Sequence, residues 1–256
     1  MNSLKNIESF TIPRTVFIEN KKLLGMIVKI KNEPGSLERV LEIIAKNKIN
    51  VESVLGNTGG NVEHVDVFIV CDITNKEIIK ENLKDELIKL PNVKNLNFIE
   101  NVHDSIVADT LHYPLYIIPG LQAIIFTNIS IGGMFEYIIQ RFGEEIAKTL
   151  FWHMGYSIGK NVFDFWYNKI KDVEKTVKII FNQGIAFGWY YGKLYIDIKN
   201  KNYEVTLYDN FECKFLKRFK IGSHFIRGVW EGVYEKVFNE KIFLNEEKCI
   251  QKGDEY

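Results

Sequence analysis

Three cysteines in 256 residues, at positions 71, 213 and 249, are too few and too widely spaced for a disulfide framework. They suit a reducing compartment. No run of eighteen apolar residues occurs, so no segment can cross a bilayer as a helix. The N-terminus, with Lys5, Glu8 and Arg14 among short apolar runs, lacks the basic start and apolar stretch of a secretion signal. These absences predict a cytoplasmic protein with no membrane partner. An excess of either charge is missing too, since Lys+Arg and Asp+Glu both number 33. The chain therefore offers no electrostatic footprint for nucleic acid, and no nucleic-acid partner is expected. Arginine is scarce, with only Arg14, Arg39, Arg141, Arg218 and Arg227, a lysine-heavy usage that fits an AT-rich genome. There is no His-Glu-x-x-His, no Cys-x-x-Cys and no strand-linked Gly-x-Gly-x-x-Gly. No catalytic residue and no resident cofactor are expected.

What is present is ordinary for globular chains: 46% hydrophobic and 26% charged residues, over a length comfortable for two domains. Leu24, Met26, Val28 and Ile30 alternate on one side of a strand. Asn32-Glu33-Pro34-Gly35-Ser36 breaks it, and Leu37, Val40, Leu41 and Ile44 follow at helical spacing. Asn50 to Gly56 and Val62 to Ile73 read as strands joined by a turn at Asn57-Thr58-Gly59-Gly60-Asn61. Asn75 can cap a helix carrying Ile79, Leu83, Leu87 and Leu90, which Pro91 stops before a last strand from Val93 to Glu100. The order is βαββαβ, a sheet with helices on one face.

The run Ile27 to Leu37 resembles the ACT domain signature, a strand ending in Asp/Asn-x-Pro-Gly-x-Leu, and Ile49-Asn50-Val51 is similar to that family's second landmark. The resemblance covers residues 23–102, after an N-terminal extension of residues 1–22 and before a linker of residues 103–112. It implies a ferredoxin-like fold, a homodimer, and a site for an amino acid or similar ligand at Asn32, Pro34, Gly35, Asn50 and Val51. The physical basis is that Gly35 lets a ligand approach the backbone and that helix N-terminal N–H groups attract a carboxylate. A plain strand-to-helix turn is the alternative.

Residues 113–256 read as a second domain. Ile146, Leu150, Met154 and Ile158 repeat every four residues on a long helix from Glu144, and Gly155 and Gly159 sit one turn apart on it. Gly155-x-x-x-Gly159-Lys160 is one residue short of a Walker motif, so close helix packing explains it better. A hairpin of Tyr191–Lys199 and Tyr203–Glu212 precedes a last helix with Phe225, Val229 and Val233, and Ile242–Ile250 reads as a closing strand. The whole is classed α+β: the ACT domain plus an α/β domain of long packed helices and an antiparallel hairpin. The Gly-interrupted helix, the hairpin, Gly228-x-x-x-Gly232 and the ending Asn245 to Asp254 resemble the 4-vinyl-reductase-type domain. That resemblance implies an enclosed pocket for a hydrophobic or aromatic ligand, for which Trp152, His153, Phe187, Trp189 and Phe211 are the candidates. Core packing is the plainer reading of each.

The same resemblance implies a zinc set of which Glu246 and Cys249 are present. Ser223 stands at a third position, a fourth would fall one residue beyond Tyr256, and His224 is a possible substitute. Two ligands do not close a structural site. The reading is a cytoplasmic, archaeal-type, small-molecule-sensing regulator. The alternatives are a reductase of vinyl tetrapyrroles, and an interaction scaffold sharing its fold with vesicle-tethering subunits.

Overall fold

The computed structural model describes residues 9–57, 62–76 and 80–254. The chain divides into two compact units, Met1–Ile124 and Ile125–Tyr256.

In the first unit, β1 (Thr15–Phe17) leads into β2 (Leu23–Lys31), α1 (Ser36–Lys46), β3 (Asn50–Asn57), β4 (His64–Asp72), α2 (Lys80–Ile88) and β5 (Val93–Phe98). β6 (Ile106–Ala108), β7 (Tyr116–Ile118) and β8 (Leu121–Gln122) follow. The turn expected at residues 57–61 and Ile79 of the second helix lie outside the described residues, apart from the end of β3 at Asn57. The main sheet is antiparallel in the order β3-β4-β2-β5. Alternation along β2 sends Leu24, Met26, Val28 and Ile30 into one core with Val40 and Ile44 of α1 and Leu83 and Leu87 of α2. The opposite parity puts Leu23 and Ile27, with Phe68 and Val70 of β4, into a second, smaller core on the other face.

That second core has a cover taken from the segments read as extension and linker. β1 pairs antiparallel with β6, Val16 opposite Val107, and Val107 is fully buried against the sheet. Gly25 makes the approach possible, because a Cβ there would lie 2.3 Å from Val107 Cγ1. Val107→Asp would put an unpaired carboxylate into an apolar layer. It is expected to release the ribbon, and limited proteolysis should then cut between residues 100 and 112 in the variant but not in the parent.

The second unit contains α3 (Asn128–Phe142), α4 (Glu144–Ile170), α5 (Val173–Ala186), the hairpin β9 (Tyr191–Asp197) with β10 (Asn202–Tyr208), α6 (Phe211–Phe215) and α7 (His224–Phe238). Thr127 caps α3 and Asp172 caps α5 through their side-chain oxygens. The buried stripe of α4 is Ala147, Phe151, Gly155, Gly159 and Phe163, one residue on from the expected Ile146 series. Ile146, Leu150 and Met154 are instead exposed. Glycine decides the face: an ideal Cβ at Gly155 or Gly159 would lie 2.0 Å from the carbonyl oxygen of Phe225 or Val229 on α7. Gly228 and Gly232 return the contact, at 2.3 Å from the carbonyl oxygens of Trp152 and Tyr156. Only backbone against backbone fits there.

Two expected elements differ. The second hairpin strand ends at Tyr208, and Phe211–Phe215 turns into a short helix capped by Asn210. Residues 242–249 form no strand. They find no sheet edge, and their backbone is tied to side chains instead, with Leu244 N donating to Glu231 Oε1 at 2.9 Å.

Candidate functional site

The first candidate lies at the start of α1. Gly35, at φ +82°, is the N-cap and supplies no side-chain cap for the first turn. That left-handed conformation costs an L-residue about 1–2 kcal/mol, which explains the glycine. Asn32 is bound into the loop, its backbone N donating to Glu63 O at 2.9 Å and its Nδ2 to Val62 O at 3.1 Å. Beneath the turn, Ser36 is buried, and Asn92 Nδ2 donates to its carbonyl at 2.9 Å. Ser36 Oγ and Asn92 Oδ1 are buried without a hydrogen-bond partner among the described residues. Buried polar atoms in that state are uncommon and point to a missing partner.

Asn50 and Val51 are elsewhere. Lys31 pairs with His64 at one end of β4, whereas Asn50 pairs with Asp72 at the other. Eight residues of strand separate the two ends, about 26 Å. One chain therefore does not bring Asn32, Pro34 and Gly35 together with Asn50 and Val51. At the Asn50 end, Nδ2 donates to Glu52 Oε1 at 2.7 Å, and Lys21 Nζ pairs with Glu52 at 2.7 Å and Asp72 at 3.0 Å. Hydrogen bonds from Thr74, with Lys21 nearby, hold the Asp72 carboxyl down at about 2. Glu52 and Asp72 lie at this end, whereas the loop end carries the open helix start with Glu33 and Glu38 beside it.

In the second unit the five aromatic-site candidates separate. Trp189 and Phe211 pack with Phe225 inside the core, at ring separations of 5.9–6.2 Å. Phe187 and His153 are exposed. Trp152 faces outward into a groove of about 540 Å³ beside α7, its Nε1 donating to Glu231 Oε2 at 2.5 Å. The reason lies in the helix phase. With 147, 151, 155 and 159 turned inward, position 153 falls on the opposite side of α4. Among the described residues of this unit the buried donors without a hydrogen-bond partner are Arg227 Nε, Trp230 Nε1, Tyr234 Oη and Gln251 Nε2, of which those of Trp230 and Tyr234 lie deep among aromatic rings. The every-four spacing of Trp230 and Tyr234 with Ile226 is that of any core helix, which is why periodicity does not single them out.

The string Gly155-Tyr156-Ser157-Ile158-Gly159 has the Gly-x-Ser-x-Gly spacing of a nucleophile elbow. It lies in mid-helix with Ser157 exposed, not at the strand-to-helix turn that chemistry requires.

Glu246 and Cys249 do not make a zinc site with the described residues. Glu246 Oε1 accepts from Ser223 N at 3.0 Å, and burial raises the Cys249 thiol above its ordinary range, with Cys213 as its hydrogen-bonded neighbour. His224 does not substitute. Its Nε2 donates to Ile221 O at 2.7 Å, and Nδ1 accepts from Arg227 Nη2 at 2.9 Å, so both nitrogens are engaged. Among the described residues no group of three or more His, Cys, Asp or Glu side chains is set to hold a metal.

Several buried carboxylates, Glu212, Glu231 and Asp109 among them, lie outside the predicted site residues. Glu212 is fully buried and caps α7 from another helix, accepting from Phe225 N at 2.8 Å, Ile226 N at 2.9 Å and Ser223 Oγ at 3.1 Å. Its setting between Phe211 and Cys213, both apolar, was the only signal available in the sequence.

The βαββαβ sheet with a glycine-opened helix after its first strand defines a ferredoxin-like module of the α+β class. Residues 26–87 match the ACT domain family, and this supports a small-molecule-sensing, regulatory role for the first unit. Among solved structures, the phenol-responsive sensory domain of the transcription activator PoxR, determined with phenol, is similar at 16% identity and a TM-score of 0.45. The alignment covers 52% of this chain and 72% of that one. The ACT domain from GTP pyrophosphokinase of Chlorobium tepidum is similar at 16% identity and a TM-score of 0.28, over 32% of this chain and 91% of that one. The C-terminal domain of the MgtC protein from Mycobacterium tuberculosis gives 15%, 0.29, 35% and 97% in the same order. No curated protein matches the chain. No helix among the described residues is long and apolar enough to cross a membrane.

Proposed function

We propose that this chain is a regulatory protein whose ACT unit binds an amino acid or similar small ligand between two copies. The carrying observation is the open start of α1, where the Ser36 hydroxyl, a donor, is buried without a hydrogen-bond partner among the described residues. A carboxylate is the natural guest for such a helix start. The acidic Glu52 and Asp72 beside Asn50 suit an ammonium, and they lie at the other end of β4. An antiparallel pairing of two units sets one copy's loop beside the other copy's Asn50, which is why the reading requires a homodimer. The exposed stripe Ile146, Leu150 and Met154 gives the second unit an apolar face for the same partner.

The second unit belongs, in this reading, to the 4-vinyl-reductase type and takes a hydrophobic ligand with a polar end. The support is the aromatic interior in which Trp230 Nε1 and Tyr234 Oη await an acceptor. Ligands at the two units would then shift one population of dimer packings.

Calorimetric titration of the full chain with the common amino acids tests the first half. A stoichiometric binder is expected, and Gly35→Val should weaken it at least tenfold while costing only about 1–2 kcal/mol of stability. Wild-type affinity in that variant, or no heat from any amino acid, would contradict the reading.

A further inference from the structure

The face of the ACT sheet turned away from α1 and α2 holds a second arrangement, independent of the loop. Register aligns Asp66 of β4, Lys29 of β2 and Asn95 of β5 in one row across three strands. In the next row Asn97 stands beside Ile27. All five side chains point to the same side, because each strand alternates.

The chain leaving β6 bends over this row and is pinned there. Asp109, its side chain only 1% exposed, pairs with Arg14 Nη1 at 2.9 Å and with His112 Nδ1 at 2.9 Å. Its Oδ1 accepts from the backbone N of Leu111 and of His112, both at 3.2 Å. Arg14 Nη2 also donates to the His112 carbonyl at 3.0 Å. A fully buried carboxylate thus fixes the imidazole through Nδ1 and turns Nε2 outward, 3.7 Å from Asp66 Oδ2. The half-open groove so formed measures about 190 Å³ and is lined by Ile27, Lys29, Asp66, Asn95, Asn97, Leu111 and His112. That is the share of about six liquid waters, well below a drug-sized pocket.

We propose that this groove binds a small α-amino acid as its zwitterion, the ammonium on Asp66 and His112 Nε2, the carboxylate on Lys29 and the amides of Asn95 and Asn97. The charges select the guest. A simple anion meets Asp66, and a simple amine meets Lys29. Only a molecule carrying both charges a few bonds apart satisfies both ends. Lys29 Nζ and Asp66 Oδ2 are 3.4 Å apart in a partly exposed pair, which holds weakly and yields readily to charge-assisted bonds with a ligand. The groove's size suits the backbone ammonium and carboxylate of an amino acid, so glycine, alanine and serine are the smallest probes that fill it. The site forms within one chain and uses none of Asn32, Gly35 or Asn50, so it stands or falls apart from the loop site.

The test follows the His112 imidazole by nitrogen-detected NMR in the full chain, the signal being assigned by its loss in His112→Gln. Glycine, alanine and serine are titrated, with acetate and ethylamine as half-ligands. At least one amino acid should shift the His112 signals saturably, in wild type and in Gly35→Val alike. The half-ligands, and the variants Asp66→Asn and Lys29→Met, should bind at least about tenfold more weakly. No shift from any of the three up to about 20 mM overturns the proposal. So does an equal response to acetate, or a response kept in Asp66→Asn and lost in Gly35→Val.

Discussion

Gly155→Ala and Gly159→Ala are each expected to destabilise the second unit by at least the upper end of the usual overpacking range, about 3 kcal/mol, and leucine at either site to abolish its cooperative unfolding. The added Cβ would sit 2.0 Å from a backbone carbonyl oxygen of α7, which no rotamer change can relieve. The two helices must separate, and with them go the contacts around Phe225, Val229 and Val233, which pack in the core between them. The same substitution at Gly133 supplies the internal control. It lies in α3 with nothing within 4 Å of its Cβ position. There alanine should stabilise by about 0.5–1 kcal/mol, through the lower entropy of the unfolded chain and better helix propensity. Denaturant melts followed by tryptophan fluorescence report directly, because all four tryptophans, at positions 152, 166, 189 and 230, lie in this unit. Equal and small effects at all three glycines would contradict the backbone contact.

Glu212→Ala should cost on the order of 3 kcal/mol or more, because it strands Phe225 N, Ile226 N and Ser223 Oγ at a buried helix start. The isosteric Glu212→Gln keeps an acceptor and isolates the charge. Burial pushes Glu212 up to about 7 from an ordinary 4.5, against the downward pull of its hydrogen bonds to the start of α7. A raised carboxyl favours the protonated form in the folded state, so its contribution is fully present below pH 4.5. It is lost as the pH climbs through 7, where the folded state also gives up the proton. Wild type should therefore lose about 3 kcal/mol relative to Glu212→Gln across that window. The difference between the two melts matters, since His224, lowered by burial and Arg227, contributes to both. A difference that does not change with pH would show that the hydrogen bonds outweigh burial.

The parts that were legible share one property: they are local. Alternation from Leu24 to Ile30, the Asn32-to-Gly35 break and the stripe from Leu37 to Ile44 each lie within a dozen residues, and each is where the structure has it. The α4 face was misjudged by one residue because Ile146, Leu150 and Met154 outscore Ala147 and Gly155 in hydrophobicity. The helix is instead turned by what can fit against α7. The pairing of residues 15–17 with 106–108 left no trace in periodicity, as both strands are three residues long and some 90 residues apart. Residues 242–250 had a strand's alternation but no edge to join. Of the candidate site residues, Gly35 was legible from turn chemistry. The separation of Asn32 from Asn50 required the register of β4, and the buried orphans at Ser36 and Asn92 required side-chain packing.

The proposal of an amino-acid site shared between two copies is tested most directly by complementation. With the groove disabled throughout by Asp66→Asn, Gly35→Val spoils one half of the site and Asn50→Ala the other, and each variant alone should bind an amino acid at least about tenfold more weakly while remaining dimeric. Unfolded together in equal amounts and refolded, half of the dimers are mixed, and each mixed dimer carries one intact site. Calorimetry should then recover about one quarter of the wild-type binding stoichiometry, at wild-type affinity. Zero recovery from mixed dimers, or full binding by either variant alone, would contradict a site built from two copies.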